Sequence, residues 1–115
     1  MSRRFEIRLI PAATKEYKRL DGSIKKLVDV AFRKLEARAD EIGEELFDQK
    51  DTKLLGCRKV KFRKYGIRIV YRIVKDKVEI VQVIAVAKRE DNEVYKLAHK
   101  RLVEILYSEK QENKT

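Results

Sequence analysis

Between Lys53 and Arg72 the chain carries eight basic residues (Lys53, Arg58, Lys59, Lys61, Arg63, Lys64, Arg68 and Arg72) and no acidic one. Lys59 and Lys61 are one residue apart in a Lys-Val-Lys-Phe alternation, so on a strand they point the same way, while Val60 and Phe62 face the other side. Arg68 comes from the next strand, a short turn later. Cations gathered on one sheet surface repel one another unless an anion is normally present. RNA or DNA is the obvious polyanion, and an acidic segment of a partner chain would satisfy the same surface. RNA cleavage by the ribose 2′-hydroxyl suits such a set, because the sugar supplies the nucleophile and neither a metal nor an activated water is needed. A lysine can accept the proton if neighbouring cations depress its pKa from ~10.4 toward neutrality. An arginine stays charged and offsets the charge on the phosphoryl oxygens with bidentate geometry.

Other chemistry is poorly supplied. One cysteine excludes an intramolecular disulfide and every multi-cysteine zinc site, and with a single histidine no metal or other cofactor is expected. Glu90 and Asp91 stand together near the end of the patch but are weak evidence for magnesium. His99 reads as a surface or capping residue of a helix, and Cys57 as a small buried hydrophobe for which the sequence indicates no thiol chemistry.

The elements that must position these residues follow from periodicity. Phe5, Ile7 and Leu9 alternate with charged residues as in a half-buried strand. Pro11 suits a first helical turn, and a short helix is expected from about Ala12 to Leu20 with Tyr17 and Leu20 inward. Asp21-Gly22-Ser23 breaks it. With Ser23 as cap, a longer helix carries apolar residues from Ile24 to Ile42 at three- and four-residue spacing, and Gly43 interrupts or ends it. Strands are expected around Val60, from Ile67 to Val74 and from Val78 to Ala87, the last apolar on both faces. Lys64-Tyr65-Gly66 and Lys75-Asp76-Lys77 form the turns. A helix from about Asn92 to Tyr107 closes the chain, leaving a polar tail from about Ser108. The fold class is therefore α+β: a strand, a helical hairpin, a three-stranded antiparallel meander and a C-terminal helix.

The 115 residues are expected to form one domain, residues 1–115. The 29 Lys and Arg against 19 Asp and Glu give a net charge of +10. No apolar run approaches the ~20 residues that span a bilayer, and the start carries no signal-peptide pattern, so no membrane partner and a cytoplasmic location are expected. From Glu36 to Asp51 the balance reverses, with seven acidic residues and two basic ones.

Two stretches carry a family likeness: L-G-C-R-K-V-K-F-R-K-Y-G-I-R-I-V-Y-R-I-V-K-D-K from Leu55, and V-A-K-R-E-D-N-E-V-Y from Val86. They resemble the RelE/ParE toxin superfamily of type II toxin–antitoxin systems, and within it the RelE-type ribosome-dependent mRNA interferases, whose microRNase-like fold has the element order deduced above. The resemblance implies that Lys59 and Lys61 handle the 2′-hydroxyl proton and developing charge, and that Arg68 holds the scissile phosphate. It further implies that Arg89 assists the leaving oxygen and that Tyr95 stacks on or orients a nucleotide. The spacing from Arg68 to Arg89 is one residue longer than in the family, most simply absorbed between Lys75 and Lys77. Lys53, Arg58, Arg63, Lys64, Arg72 and Lys88 would then contact RNA or ribosome. The implied partners are mRNA, the ribosome with its rRNA, and a cognate antitoxin, acidic in its toxin-binding segment, that could mediate a higher oligomer. Two rivals are a gyrase-inhibiting toxin of the ParE kind and a non-catalytic regulatory protein that binds nucleic acid.

Overall fold

The computed structural model describes residues 4–47, 54 and 56–112. The elements run β1 (Phe5–Leu9), α1 (Pro11–Lys18), α2 (Gly22–Arg38), β2 (Glu44–Glu45), β3 (Cys57–Phe62), β4 (Ile67–Lys75), β5 (Glu79–Lys88) and α3 (Asp91–Glu112). They build the expected α+β architecture around a single sheet of order β1-β5-β4-β3-β2. The meander β3-β4-β5 is antiparallel, and β1 joins β5 in parallel.

Alternation along the strands divides the apolar residues into two cores. On one face Ile67, Ile69, Tyr71, Val81 and Val83 meet Ala13 of α1 and Val28, Ala31 and Leu35 of α2. On the other, Cys57, Val70, Ala85 and Ala87 meet Val94, Tyr95, Ala98 and Leu102 of α3. Helices thus cover both faces of β4 and β5. That explains the largely apolar sequence of β5, each fully buried Ile or Val contributing about 1.5–3 kcal/mol.

Helix ends differ from the expected ones for local reasons. The second helix begins at Gly22 with Asp21 in the capping position, where the Asp21 carbonyl accepts from the Lys25 amide at 2.8 Å; Ser23 lies inside the first turn. The same helix stops at Arg38 although the apolar spacing continues to Ile42. The buried Tyr71 hydroxyl lies 2.8 Å from the Ala39 carbonyl and 2.7 Å from the Ile42 carbonyl, holding residues 39–42 as a turn. Gly43 sits beyond that turn with φ +82°, so it neither bends nor ends the helix itself. At the other terminus α3 continues through the supposed tail to Glu112, since Ser108–Glu112 contains no Gly or Pro and Arg72 donates to Glu109 at 2.8 Å.

Two features were not foreseen in the sequence. Glu44 and Glu45 form a two-residue strand, paired in register with Lys59 and Arg58. The β4–β5 register also slips: Val70 pairs with Ala85 and Tyr71 with Val83, leaving Ile84 as a bulge. Beyond the short β1, the edge of β5 is closed by side chains instead of a strand. Arg101 of α3 donates to the Ile84 carbonyl at 3.0 Å, and Glu16 of α1 accepts from the Val86 amide at 3.1 Å. Arg101 and Glu16 also pair with each other in bidentate fashion at 2.7 and 3.2 Å.

Candidate functional site

Strand register brings the cations together on the α3 side of the sheet, where Lys61 lies opposite Arg68 and Lys59 opposite Val70. The start of α3 completes the group, placing Asp91 and Tyr95 one helical turn apart over these strands. The Lys59 Nζ donates to the Tyr95 hydroxyl at 2.6 Å, lies 5.4 Å from the centre of that ring, and is 3.6 Å from a Glu44 carboxylate oxygen. Lys61 Nζ is 3.6 Å from Asp91 Oδ2. The nearly buried Arg68 donates through Nε to Asp91 Oδ1, and through Nη1 to the Arg89 carbonyl and, at 3.0 Å, to the Gly66 carbonyl.

These contacts set the electrostatics. The Arg68 hydrogen bond holds the Asp91 carboxyl below its usual range against the opposing effect of burial, and the charges of Arg68, Lys59 and Lys61 add to it. Lys59 is pushed the opposite way from the expected depression toward neutrality. The Tyr95 hydroxyl, joined by the charges of Asp91 and Glu44, favours the ammonium form and raises its pKa. The cations therefore do not simply repel one another, because two carboxylates from distant parts of the chain stand among them.

The other basic residues separate clearly. Arg63 and Lys88 are exposed, and with Lys61, Arg68, Arg89, Glu90 and Glu93 they line a cleft of about 660 Å³. The Arg89 guanidinium is exposed there and makes no ion pair with any described residue. A second groove, of about 870 Å³, runs from Leu27, Val30 and Lys34 of α2 across β3 to Asp91, and shares Lys61 and Arg63 with the cleft. Lys64 is exposed in the β3–β4 turn above Tyr65. Arg58 alternates onto the α2 side with Val60 and Phe62, where it donates to the Asp40 carbonyl at 2.8 Å and pairs with Glu45 at 3.3 Å. Arg72 shares a face with Lys61 but is engaged by Gln82 and Glu109. Lys53 lies outside the described residues.

Tyr95 is 7 % exposed and packed into the α3 core, so its ring offers no open face for a nucleotide; its hydroxyl instead fixes Lys59. Cys57 is buried at the start of β3, and His99 is half-buried on α3. Among the described residues no group of three His, Cys, Asp or Glu side chains could hold a metal ion. Among them, too, no helix is long and apolar enough to cross a membrane. Sequence reasoning missed Asp91 as the partner of Lys61 and Arg68, and Glu44 as that of Lys59. The signal for Glu44 was present in the reversal of charge between residues 36–51 and 53–72.

Comparison with known proteins identifies the family and the fold. Residues 7–93 match the family model for the ParE toxin of the type II toxin–antitoxin system parDE. A putative RelE-like toxin protein of Escherichia coli is 31% identical over 99 residues, covering 86% of this chain and 98% of that protein. The mRNA interferase toxin RelE of Escherichia coli strain K12 is 49% identical over 47 residues, which are 41% of this chain and 48% of that one. Among solved structures, a double mutant of the E. coli toxin RelE in the free state superposes with a TM-score of 0.67 at 29% identity, covering 84% of this chain and 96% of that one. The same mutant in complex with a peptide of the antitoxin RelB gives 0.61 at 28% identity, covering 83% and 94%. The chain belongs to the RelE/ParE toxin superfamily of type II toxin–antitoxin systems. It is a RelE-like toxin.

Proposed function

We propose that this toxin is an endoribonuclease that cleaves mRNA in the ribosomal A site through attack by the message's own 2′-hydroxyl. The observation that carries this reading is the convergence of Lys61, Arg68 and Arg89 on one cleft, with Lys59, hydrogen-bonded to Tyr95, in the adjoining groove that shares Lys61. Lys59 and Lys61 take the hydroxyl proton and the developing charge, Arg68 holds the scissile phosphate, and Arg89 assists the leaving 5′-oxygen. Tyr95 is a positioning residue acting through Lys59. The products are a cyclic 2′,3′-phosphate and a free 5′-hydroxyl. Dependence on the ribosome suits a site whose lysine is held protonated when empty, because the ribosome supplies orientation of the RNA. The location is cytoplasmic, and the protein partner is an antitoxin, as a RelB peptide is for the E. coli toxin RelE.

Primer extension on message from a reconstituted translation reaction tests the activity. Codon-phased breaks with the wild type, absent with Arg89→Ala and absent without ribosomes, are expected. Intact message at normal translation would overturn the proposal. The family model describes ParE, so DNA gyrase inhibition is the second reading and the next assay.

A further inference from the structure

The Arg68 guanidinium has two edges on which it can grip a phosphate with paired hydrogen bonds: Nε with Nη2, or Nη1 with Nη2. Here Nη1 donates to the carbonyls of Gly66 and Arg89, so the second edge is closed by backbone. The first edge is the one Asp91 occupies, through Nε. The other oxygen of the same carboxylate faces Lys61 at 3.6 Å, so a single anionic group bridges the two cations. Arg68 is 7 % exposed, whereas the Asp91 side chain is 38% exposed. The arginine is fixed, and the carboxylate is the member that can leave. It belongs to the first residue of α3, lies at the rim of the α2–β3 groove, and stands over the lysine shared with the cationic cleft.

We propose that Asp91 is a built-in occupant of the substrate-phosphate position, which RNA must displace to obtain bidentate contact with Arg68. This rests on the reading above that the site takes an RNA phosphate, and it makes Asp91 a specificity-determining residue. A loosely held RNA gains too little to evict a carboxylate already bonded to both cations. A message held in place by the ribosome presents its phosphate at high effective concentration and displaces it. Displacement also removes a carboxylate from the surroundings of Lys59, whose proton then becomes easier to lose.

The test compares the wild type with Asp91→Asn, a near-isosteric change that removes the charge. The probe is a short 2′-deoxy oligonucleotide, which presents phosphates but cannot attack itself. Its affinity should rise about tenfold in Asp91→Asn. The dependence of log affinity on log salt should steepen by about 0.7, the increment for one further phosphate contact on a single strand. A substitution that merely loosened the helix start would lower affinity and leave the salt slope unchanged. Equal affinities and equal slopes, or weaker binding by the variant, would overturn the proposal. If Asp91→Asn does not fold, as judged by its thermal transition, Asp91→Ser carries the same comparison. Loss of folding in both would make the carboxylate a structural tie and equally overturn it. Ribosomal cleavage by the wild type is scored separately: absence of cleavage defeats the endonuclease reading, while the binding ratio still decides whether Asp91 fills an anion position.

Discussion

Lys59 enters the site as an ammonium ion, and the group that favours this most is the Tyr95 hydroxyl beneath it. Two consequences have opposite signs along the pH scale. Its raised pKa contributes stability that is fully present below the unfolded value of ~10.4 and is lost as pH rises through the folded value. In its proposed role as general base it gains as pH rises, so the proposed single-turnover cleavage on the ribosome should climb with pH from neutrality upward. Tyr95→Phe removes the hydroxyl and leaves the ring in the α3 core, which should shift this profile to lower pH and lower the unfolding midpoint only by the stability that this one hydrogen bond contributes. An unshifted profile would remove Lys59 from the proton transfer. At this scale the cations were legible, because a Lys-x-Lys alternation on a strand fixes their common side. Their counter-charges were not legible, because Asp91 and Glu44 reach Lys61 and Lys59 only through the packing of α3 and the pairing of β2.

The elements were legible wherever periodicity decides them. The three meander strands, both helices of the hairpin and the closing helix follow from apolar spacing, since burial on one side or both dictates it. Their ends were less so. Nothing local to residues 38–43 announces that the Tyr71 hydroxyl, from a strand some thirty residues later, will hold that turn. Burial also pushes that hydroxyl's pKa up to about 12, so it stays a donor throughout the working range. Gly43 is required here: a Cβ would sit 2.5 Å from the Tyr71 oxygen on a backbone with φ +82°. Gly43→Ala is expected to destabilise the fold by about 2 kcal/mol in urea unfolding. The Glu16–Arg101 bridge was invisible for the same reason, as its partners are 85 residues apart. Glu16→Ala strands a largely buried guanidinium and an unpaired Val86 amide, and should cost about 3 kcal/mol. Glu16→Gln, which can still accept from that amide, should cost clearly less.

Across the whole molecule the excess of positive charge divides into cations that hold the fold and cations that face the cleft. Arg58 and Arg72 tie β3 to the end of α2 and β4 to the end of α3. Lys61, Arg63, Lys88 and Arg89 line the open wall. Arg58→Ala should therefore lower the unfolding midpoint while leaving the salt dependence of oligonucleotide binding intact. Lys61→Ala should do the reverse, and parallel behaviour of the two variants would reject this division. The sequence alone groups Arg58 and Arg72 with Lys61 and Arg63 because a charge count along the chain does not show which cations are claimed by partners from elsewhere in the fold.

A sheet edge closed by an ion pair behaves differently from one closed by a strand. The Val86 amide sits on β5, beyond the reach of the short β1, and its hydrogen bond ends on a carboxylate of α1 that is shared with α3. Rotation of one glutamate side chain releases it without parting any two strands. Its hydrogen exchange should be faster than that of the strand-paired amides around it and should quicken with added salt. This one backbone position would therefore register the grip between the first and last helices while the fold remains intact.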